Sequence, residues 1–194
     1  MKRDFQDAVS LVLSARIEGG YVNDPLDPGK ETIYGITAAN WKRAEDLGLV
    51  AVKLVKDRNR SEALVVYRAF FWDAYRCSEL PYPLALAFFD TVVNHTPVWS
   101  IRALQRAVGA DVDGGIGGNT LAAAKNMPLI GTAELPGSVP RLLDIRMQHY
   151  LGRSPLGETP VSFEVEEHFE LGWCRRLMTI LHAAILVAFE KEGV

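Results

Sequence analysis

Glu18 stands directly before Gly19-Gly20, and the stretch that follows holds Asp24, Asp27, Glu31, Thr32 and Tyr34. Carboxylates and hydroxyls gathered in a turn-rich segment have three uses open to them: acid/base catalysis, binding of a hard cation, and the capping of turns. A calcium-type loop needs oxygen ligands at alternating positions and a closing bidentate carboxylate. Asp24 and Asp27 instead flank Pro25-Leu26, with Pro28 after them, so no metal is expected. Asp before Pro is a common turn starter, and Asp24 fits that use as well as a chemical one. Glu18 is placed differently. At the C-terminal end of a helix its carboxylate faces the negative end of the macrodipole, which modestly favours the protonated form. A partly buried Glu in such a place is a general acid near neutral pH; a solvated helix end is the plainer alternative. The paired glycines allow a substrate or a backbone to approach closely.

The elements that must position these groups are mostly helical. Phe5, Val9, Val12, Leu13 and Ile17 recur at helical spacing, and Gly19-Gly20 ends the run. Residues 21–36 alternate short β-prone pieces with Asn, Asp, Pro and Gly, the mark of a small hairpin or irregular β-loop. Thr37 is placed to cap a helix ending at Gly48, and Ser61 to cap another running towards Tyr75. Further helices are expected over 83–94, 98–108, 119–126, 139–151 and 162–189, the last broken near Gly172. Residues 127–138 and 152–160 read as loops. The fold class is therefore mainly α, with one small β-hairpin or loop after the first helix.

Composition sets outer bounds. The chain has 194 residues, 48% of them hydrophobic and 23% charged, and a net charge of −3. That is ample for a hydrophobic core and excludes a disordered or coiled-coil chain. Acids and bases nearly balance in both halves, so nucleic acid is not an expected partner. Cys77 and Cys174 fit neither a zinc spacing nor a disulfide framework. Met1-Lys2-Arg3 opens like a signal peptide, but no apolar run follows. The expectation is a chain made in the cytoplasm without a leader. The most apolar stretch, Leu177 to Phe189, is short for a bilayer span, and a core helix without stable membrane insertion is expected there.

The segment Glu18-Gly19-Gly20-Tyr21-Val22-Asn23-Asp24-Pro25-x-Asp27-Pro28-Gly29-x-Glu31-Thr32-x-Tyr34-Gly35-Ile36-Thr37 resembles glycoside hydrolase family 108, the N-acetylmuramidases of phage endolysins and bacterial secretion activators. That family's pattern is roughly E-G-G-Y-x-N-D-P-x-D-x-G-G-x-T-x-x-G-I-T. The Glu, Asp, Thr order is also similar to that of phage-type lysozymes. Lys30 departs from the pattern, standing where a second glycine is usual. Downstream, Tyr67-Arg68-x-x-Phe71-Trp72, Asp90-x-x-x-Asn94-His95, Ala103-Leu104-Gln105-x-x-x-Gly109, Asp113-Gly114-x-x-Gly117-x-x-Thr120 and Gly172-Trp173-x-x-Arg176 look like later elements of the same family. Each of these also has a structural reading. Asp113-Gly114 makes a turn, and Asn119 or Thr120 caps the next helix. Phe70, Phe71, Trp72 and Tyr75 pack mainly into a core. His95 is a hydrogen-bonded structural histidine.

The resemblance implies a lysozyme-like fold, with a muramidase region over residues 1–90 and a helical peptidoglycan-binding-like region over 91–194, packed as one compact unit. It implies hydrolysis of the β-1,4 bond between N-acetylmuramic acid and N-acetylglucosamine. Glu18 is then the acid, with Asp27 and Thr32 stabilising charge or positioning water. Gly19, Gly20, Tyr21, Tyr34 and Asn94 are the implied substrate contacts. No cofactor is implied. The expected partner is the peptidoglycan glycan strand, reached from the cytoplasm with a holin or secretion device, by a monomer acting on a Gram-negative wall. A phage endolysin is the leading role. Alternatives are a secretion-assisting bacterial muramidase, a lytic transglycosylase, or a non-catalytic wall-binding module.

Overall fold

A computed structural model describes residues 4–14, 20–23, 31–156 and 167–190. The backbone divides into two units, Met1–Ala74 and Tyr75–Val194.

The first unit begins with α1, Phe5–Ser14, whose Phe5, Ala8, Val9, Val12 and Leu13 form one buried face. Burying each of the larger side chains contributes about 1.5–3 kcal/mol. Ile17, expected on the same face, lies outside the described residues. Three short strands follow: β1 Val22–Asn23, β2 Glu31–Ile33 and β3 Ile36–Thr37, antiparallel in that order. The expected hairpin is thus a three-stranded sheet. Val22 pairs with Thr32 and Asn23 with Glu31; on the other side of β2, Thr32 pairs with Thr37 and Ile33 with Ile36. The β2–β3 connection is the two-residue turn Tyr34-Gly35, with φ of 54° and 70°, the left-handed pair of a type I′ turn.

Thr37 leaves the sheet and caps α2, Ala38–Asp46, its hydroxyl accepting from the Asn40 N–H at 3.4 Å. This is the cap expected from the sequence. The next helix, α3 Arg60–Tyr67, is capped by Asn59 and not by Ser61. Asn59 accepts from the Glu62 N–H while the Glu62 carboxylate accepts from the Asn59 N–H, both at 3.0 Å. That reciprocal box satisfies two end donors at once. Nor does α3 continue as an α-helix to Tyr75: it widens into a π-helical turn over Arg68–Asp73. Just before α3, a 3-10 turn at Val55–Asp57 leads to Arg58, which is buried. Its guanidinium donates to the carbonyls of Ala51 and Lys53 and pairs with Glu45 and Glu62 while lying over the Trp41 ring.

The second unit is helical. A 3-10 turn, Cys77–Glu79, precedes α4 Tyr82–Asn94, α5 Pro97–Val108, α6 Gly118–Asn126, α7 Ser138–Tyr150 and α8 Glu167–Glu190. Two expectations are corrected here. The cap of α6 is Gly117, with no side-chain hydrogen bond; Thr120 is instead buried and bonds the Gly115 carbonyl at 3.4 Å. Helix α8 runs through Gly172 without a break, because a single glycine costs only about 1 kcal/mol in a helix. Leu177, Ile180, Ala184 and Val187 form its buried stripe. The apolar stretch judged short for a bilayer lies within this longer helix, and Gly172–Glu190 is long and apolar enough to cross a membrane by length and composition.

α4 is the centre of this unit. Ten of its residues are buried, including one charged side chain, Asp90. Arg146 on α7 donates to Asp90 Oδ2 at 2.8 Å, and Arg176 on α8 donates through Nε at 2.9 and 3.1 Å. One buried carboxylate therefore joins three helices.

Candidate active site

The described part of the site is the small sheet and the helices that carry it. The first turn of α1 is fixed by Phe5, which meets Trp72 edge-on at 5.8 Å between ring centroids. Trp72 and Phe70 are buried, and Arg43 lies over the Phe70 ring at 4.4 Å. The packing role expected for this aromatic run holds for these two rings. Glu18, Gly19 and Asp27 lie outside the described residues, as does Lys30.

Gly20 is exposed, and among the described residues nothing lies within 4 Å of the place its Cβ would take. Tyr21 is 42% exposed, and its hydroxyl donates to Glu31 Oε1 at 2.9 Å. This bond joins the two ends of the segment that contains Asp27. The bond to Glu31 also holds the Tyr21 phenol above its ordinary pKa, since losing the proton would put an anion beside a carboxylate.

Thr32 sits in the middle of β2. Directly paired residues in a sheet share a face, and neighbours along a strand point to opposite faces. Thr32 therefore shares a face with Val22 and Thr37, away from the Ile33–Ile36 pair that enters the core. Its hydroxyl-bearing side chain is half-buried on a strand paired on both sides, a placement suited to holding a hydroxyl still. Tyr34 occupies the first position of the β2–β3 turn, half-buried, with its carbonyl accepting from the Tyr67 hydroxyl at 3.0 Å.

Asn94 belongs to the second unit. It ends α4, and its Nδ2 donates to the Asp90 carbonyl at 2.6 Å, one helical turn back. His95, the C-cap of that helix, bonds the Tyr150 hydroxyl at 3.1 Å and lies tilted against Trp99, 4.3 Å between ring centroids. Burial first, and then the positive charge of Arg146, push its pKa down to about 2. It is a neutral, packed histidine, as the sequence reading expected. The Asp113-Gly114 turn is also structural. Gln105, fully buried, donates to Asp113 Oδ1 at 2.6 Å and to the Gly115 carbonyl at 2.9 Å, and accepts from the Gly114 N–H at 2.9 Å. The Gln105 and Gly115 bonds hold the Asp113 carboxyl below its ordinary range.

Sequence reasoning did not pair Asp90 with its arginines, although one signal was present. A lone Asp in the apolar run Leu84 to Val93 has to find a buried counter-charge. It also missed the bond from Tyr67 to Tyr34, which local sequence does not announce. Among the described residues no group of three or more His, Cys, Asp or Glu converges as a metal site would require.

Residues 12–95 match the family model described as Glycosyl hydrolase 108. Among solved structures, SagA of Brucella abortus is similar over 94% of this chain and 94% of its own, with a TM-score of 0.71 and 29% identity. No curated protein matches. The mainly helical, lysozyme-like fold with a small sheet after its first helix thus agrees with a solved relative along nearly the whole chain.

Proposed function

We propose, from the premise that residues 12–95 form a glycosyl hydrolase 108 region and the chain is accordingly a glycoside hydrolase, that its substrate is the peptidoglycan glycan strand and its product a muropeptide. The bond cleaved is the β-1,4 link between N-acetylmuramic acid and N-acetylglucosamine. The observation that carries this reading is the placement of Thr32 and Tyr34 on a paired strand and its turn, downstream of the Glu18-Gly-Gly-Tyr21 segment and inside the matched region.

In this reading Glu18 protonates the leaving glycosidic oxygen, and the sugar passes through an oxocarbenium-like state. Thr32, held on β2 away from the core face, orients a water or the developing charge together with Asp27. With Asp27 as base the outcome is inversion, which asks for carboxyl groups roughly 6.5–9.5 Å apart. Gly19 and Gly20 admit the strand, and Tyr21, Tyr34 and Asn94 contact it. The helical region over residues 91–194 adds affinity for the wall. The enzyme acts as a monomer on the periplasmic wall of a Gram-negative cell, without nucleic acid or membrane insertion, after release by a holin or a secretion system.

Host lysis by a phage endolysin is the proposed role. A secretion-assisting bacterial muramidase is the second reading, favoured by the likeness over 94% of the chain to a protein of Brucella abortus. A lytic transglycosylase would differ in product, since its 1,6-anhydro sugar lacks the added water. A binding module would adsorb to sacculi without releasing anything.

The test is turbidity loss of purified Gram-negative sacculi by wild type and Glu18→Gln, with products weighed by mass spectrometry. Loss of the general acid costs on the order of 10²–10⁴-fold in rate. Reducing muropeptides from wild type and none from Glu18→Gln are the expected result. Adsorption of folded wild type without product would overturn the catalytic reading.

A further inference from the structure

The β2–β3 turn carries a feature that its sequence makes unnecessary. A type I′ turn needs positive φ at both central residues, and Asn-Gly or Asp-Gly meets that need with least strain. The second position here is Gly35, at φ 70°. The first is Tyr34, at φ 54°, a backbone region that bulky side chains rarely enter. Tyr34 is only half-buried, so it is not kept there as a core residue. Strained conformations persist where the surroundings over-determine them, and they collect at ligand contacts.

The surrounding structure supplies such a hold. The Tyr34 carbonyl points out of the turn's own ladder, and the Tyr67 hydroxyl donates to it at 3.0 Å. Tyr67 is itself fully buried, with its ring 5.5 Å from that of Phe71. It is the last residue of α3, where the helix widens into the π turn at Arg68–Asp73. A buried aromatic at the end of α3 thus holds the Tyr34–Gly35 peptide plane, which lies between the two left-handed residues of the turn, and Thr32 lies two residues before Tyr34 on the same chain.

We infer that Tyr67 is a positioning residue, whose hydroxyl, by holding the Tyr34 carbonyl, locks the strained β2–β3 turn so that the Tyr34 phenol meets the glycan. The inference rests on the muramidase reading for the nature of the ligand, but its geometric half does not.

Two readouts test it. In Tyr67→Phe the ring stays in the core and only the hydroxyl is lost. Amide exchange at Gly35 and Ile36 should then speed up about five- to tenfold, the equivalent of one ordinary hydrogen bond. On soluble glycan strands, KM should rise by a similar factor with kcat within about twofold, the mark of lost ground-state contact. Tyr34→Asn gives the complementary sign. Asn suits the turn better, so the unfolding temperature should hold or rise, while KM rises as in Tyr67→Phe.

Unchanged exchange at Gly35 and Ile36 in Tyr67→Phe overturns the brace, whatever the activity. An unchanged KM in Tyr34→Asn overturns the contact. If Tyr67→Phe alone does not fold, the pair with Tyr34→Asn should, because Asn needs no brace; failure of the pair to fold also counts against the inference. Wild type that releases no muropeptide would sink the muramidase reading and the glycan contact with it, while the exchange experiment still decides the brace.

Discussion

Arg146 Nη1 lies 2.8 Å from Asp90 Oδ2, and neither side chain has any solvent exposure. Burial by itself would raise the Asp90 pKa. The charges and hydrogen bonds of Arg146 and Arg176 outweigh it and bring the group down to about 2. The carboxylate is the common partner of α7 and α8 on α4, so it fixes where both helices attach.

Removing that partner should be far worse than losing a surface ion pair. Asp90→Asn leaves one buried and one nearly buried guanidinium without their counter-charge, and a broken buried pair costs about 3–5 kcal/mol. Urea unfolding of the variant checks this; a loss under about 1 kcal/mol would mean that the arginines find other partners. The sign with pH follows from a depressed pKa. The Asp90 contribution is full above about pH 4, the unfolded value, and is lost as pH falls towards about 2.

His95 makes stability depend on pH in a different window. It faces Arg146, Trp99, His149 and Tyr150, and the folded protein keeps it neutral down to about pH 2. An unfolded chain protonates it near pH 6.5. Below that pH the unfolded state binds a proton that the folded state does not, so stability falls with pH by up to about 1.4 kcal/mol per unit from this group. Unfolding free energies at pH 7 and pH 5 should differ less in His95→Gln than in wild type. An equal difference in both would show that His95 is not the source.

Gln105 holds the 113–115 turn through both ends of its amide. Gln105→Leu keeps the volume and removes all of these bonds, leaving the Gly114 N–H without its acceptor. The expected loss is about 2 kcal/mol, near the cost of a buried group left unsatisfied. Exchange at the Gly114 amide should rise well beyond what global destabilisation accounts for. Protection that follows the global value alone would argue that the turn stands without its clamp.

Gly131 and Gly109 separate two reasons for a glycine. Both have φ of +74°, but a Cβ on Gly131 would sit 2.2 Å from the Leu135 carbonyl oxygen and 2.5 Å from the Gly137 nitrogen, whereas one on Gly109 meets nothing within 4 Å. Gly109→Ala should cost only the left-handed penalty, about 1–2 kcal/mol. Gly131→Ala adds a backbone clash at the Gly131–Pro136 bridge, and its thermal midpoint should fall clearly further. Equal midpoints would mean the 128–137 loop opens without cost.

Much of this was legible in the sequence. The helical spacing of Phe5, Val9, Val12 and Leu13 names a buried face because only one side of an amphipathic helix meets a core. Thr37 followed by helix formers marks a cap because its hydroxyl reaches the Asn40 N–H within the local chain. The Glu18-Gly-Gly-Tyr21 segment and the Gly35-Ile36-Thr37 stretch were recognisable as a family signature for the same reason: the residues that make them are near neighbours. Local rules also erred where two local choices competed. Asn59 took the cap assigned to Ser61, because its bond is returned by Glu62, and Gly172 did not end α8.

By itself, then, the sequence determined the helices, the position of the small sheet, the candidate acid and the family signature, all of which follow from the types and spacing of residues close along the chain. Tertiary structure alone decided which distant groups meet. Asp90 finds Arg146 and Arg176 across separations of 56 and 86 residues, and Tyr67 reaches Tyr34 across 33. These contacts depend on how helices and sheet pack, and a carboxylate or a hydroxyl carries no mark of the partner that burial will force upon it.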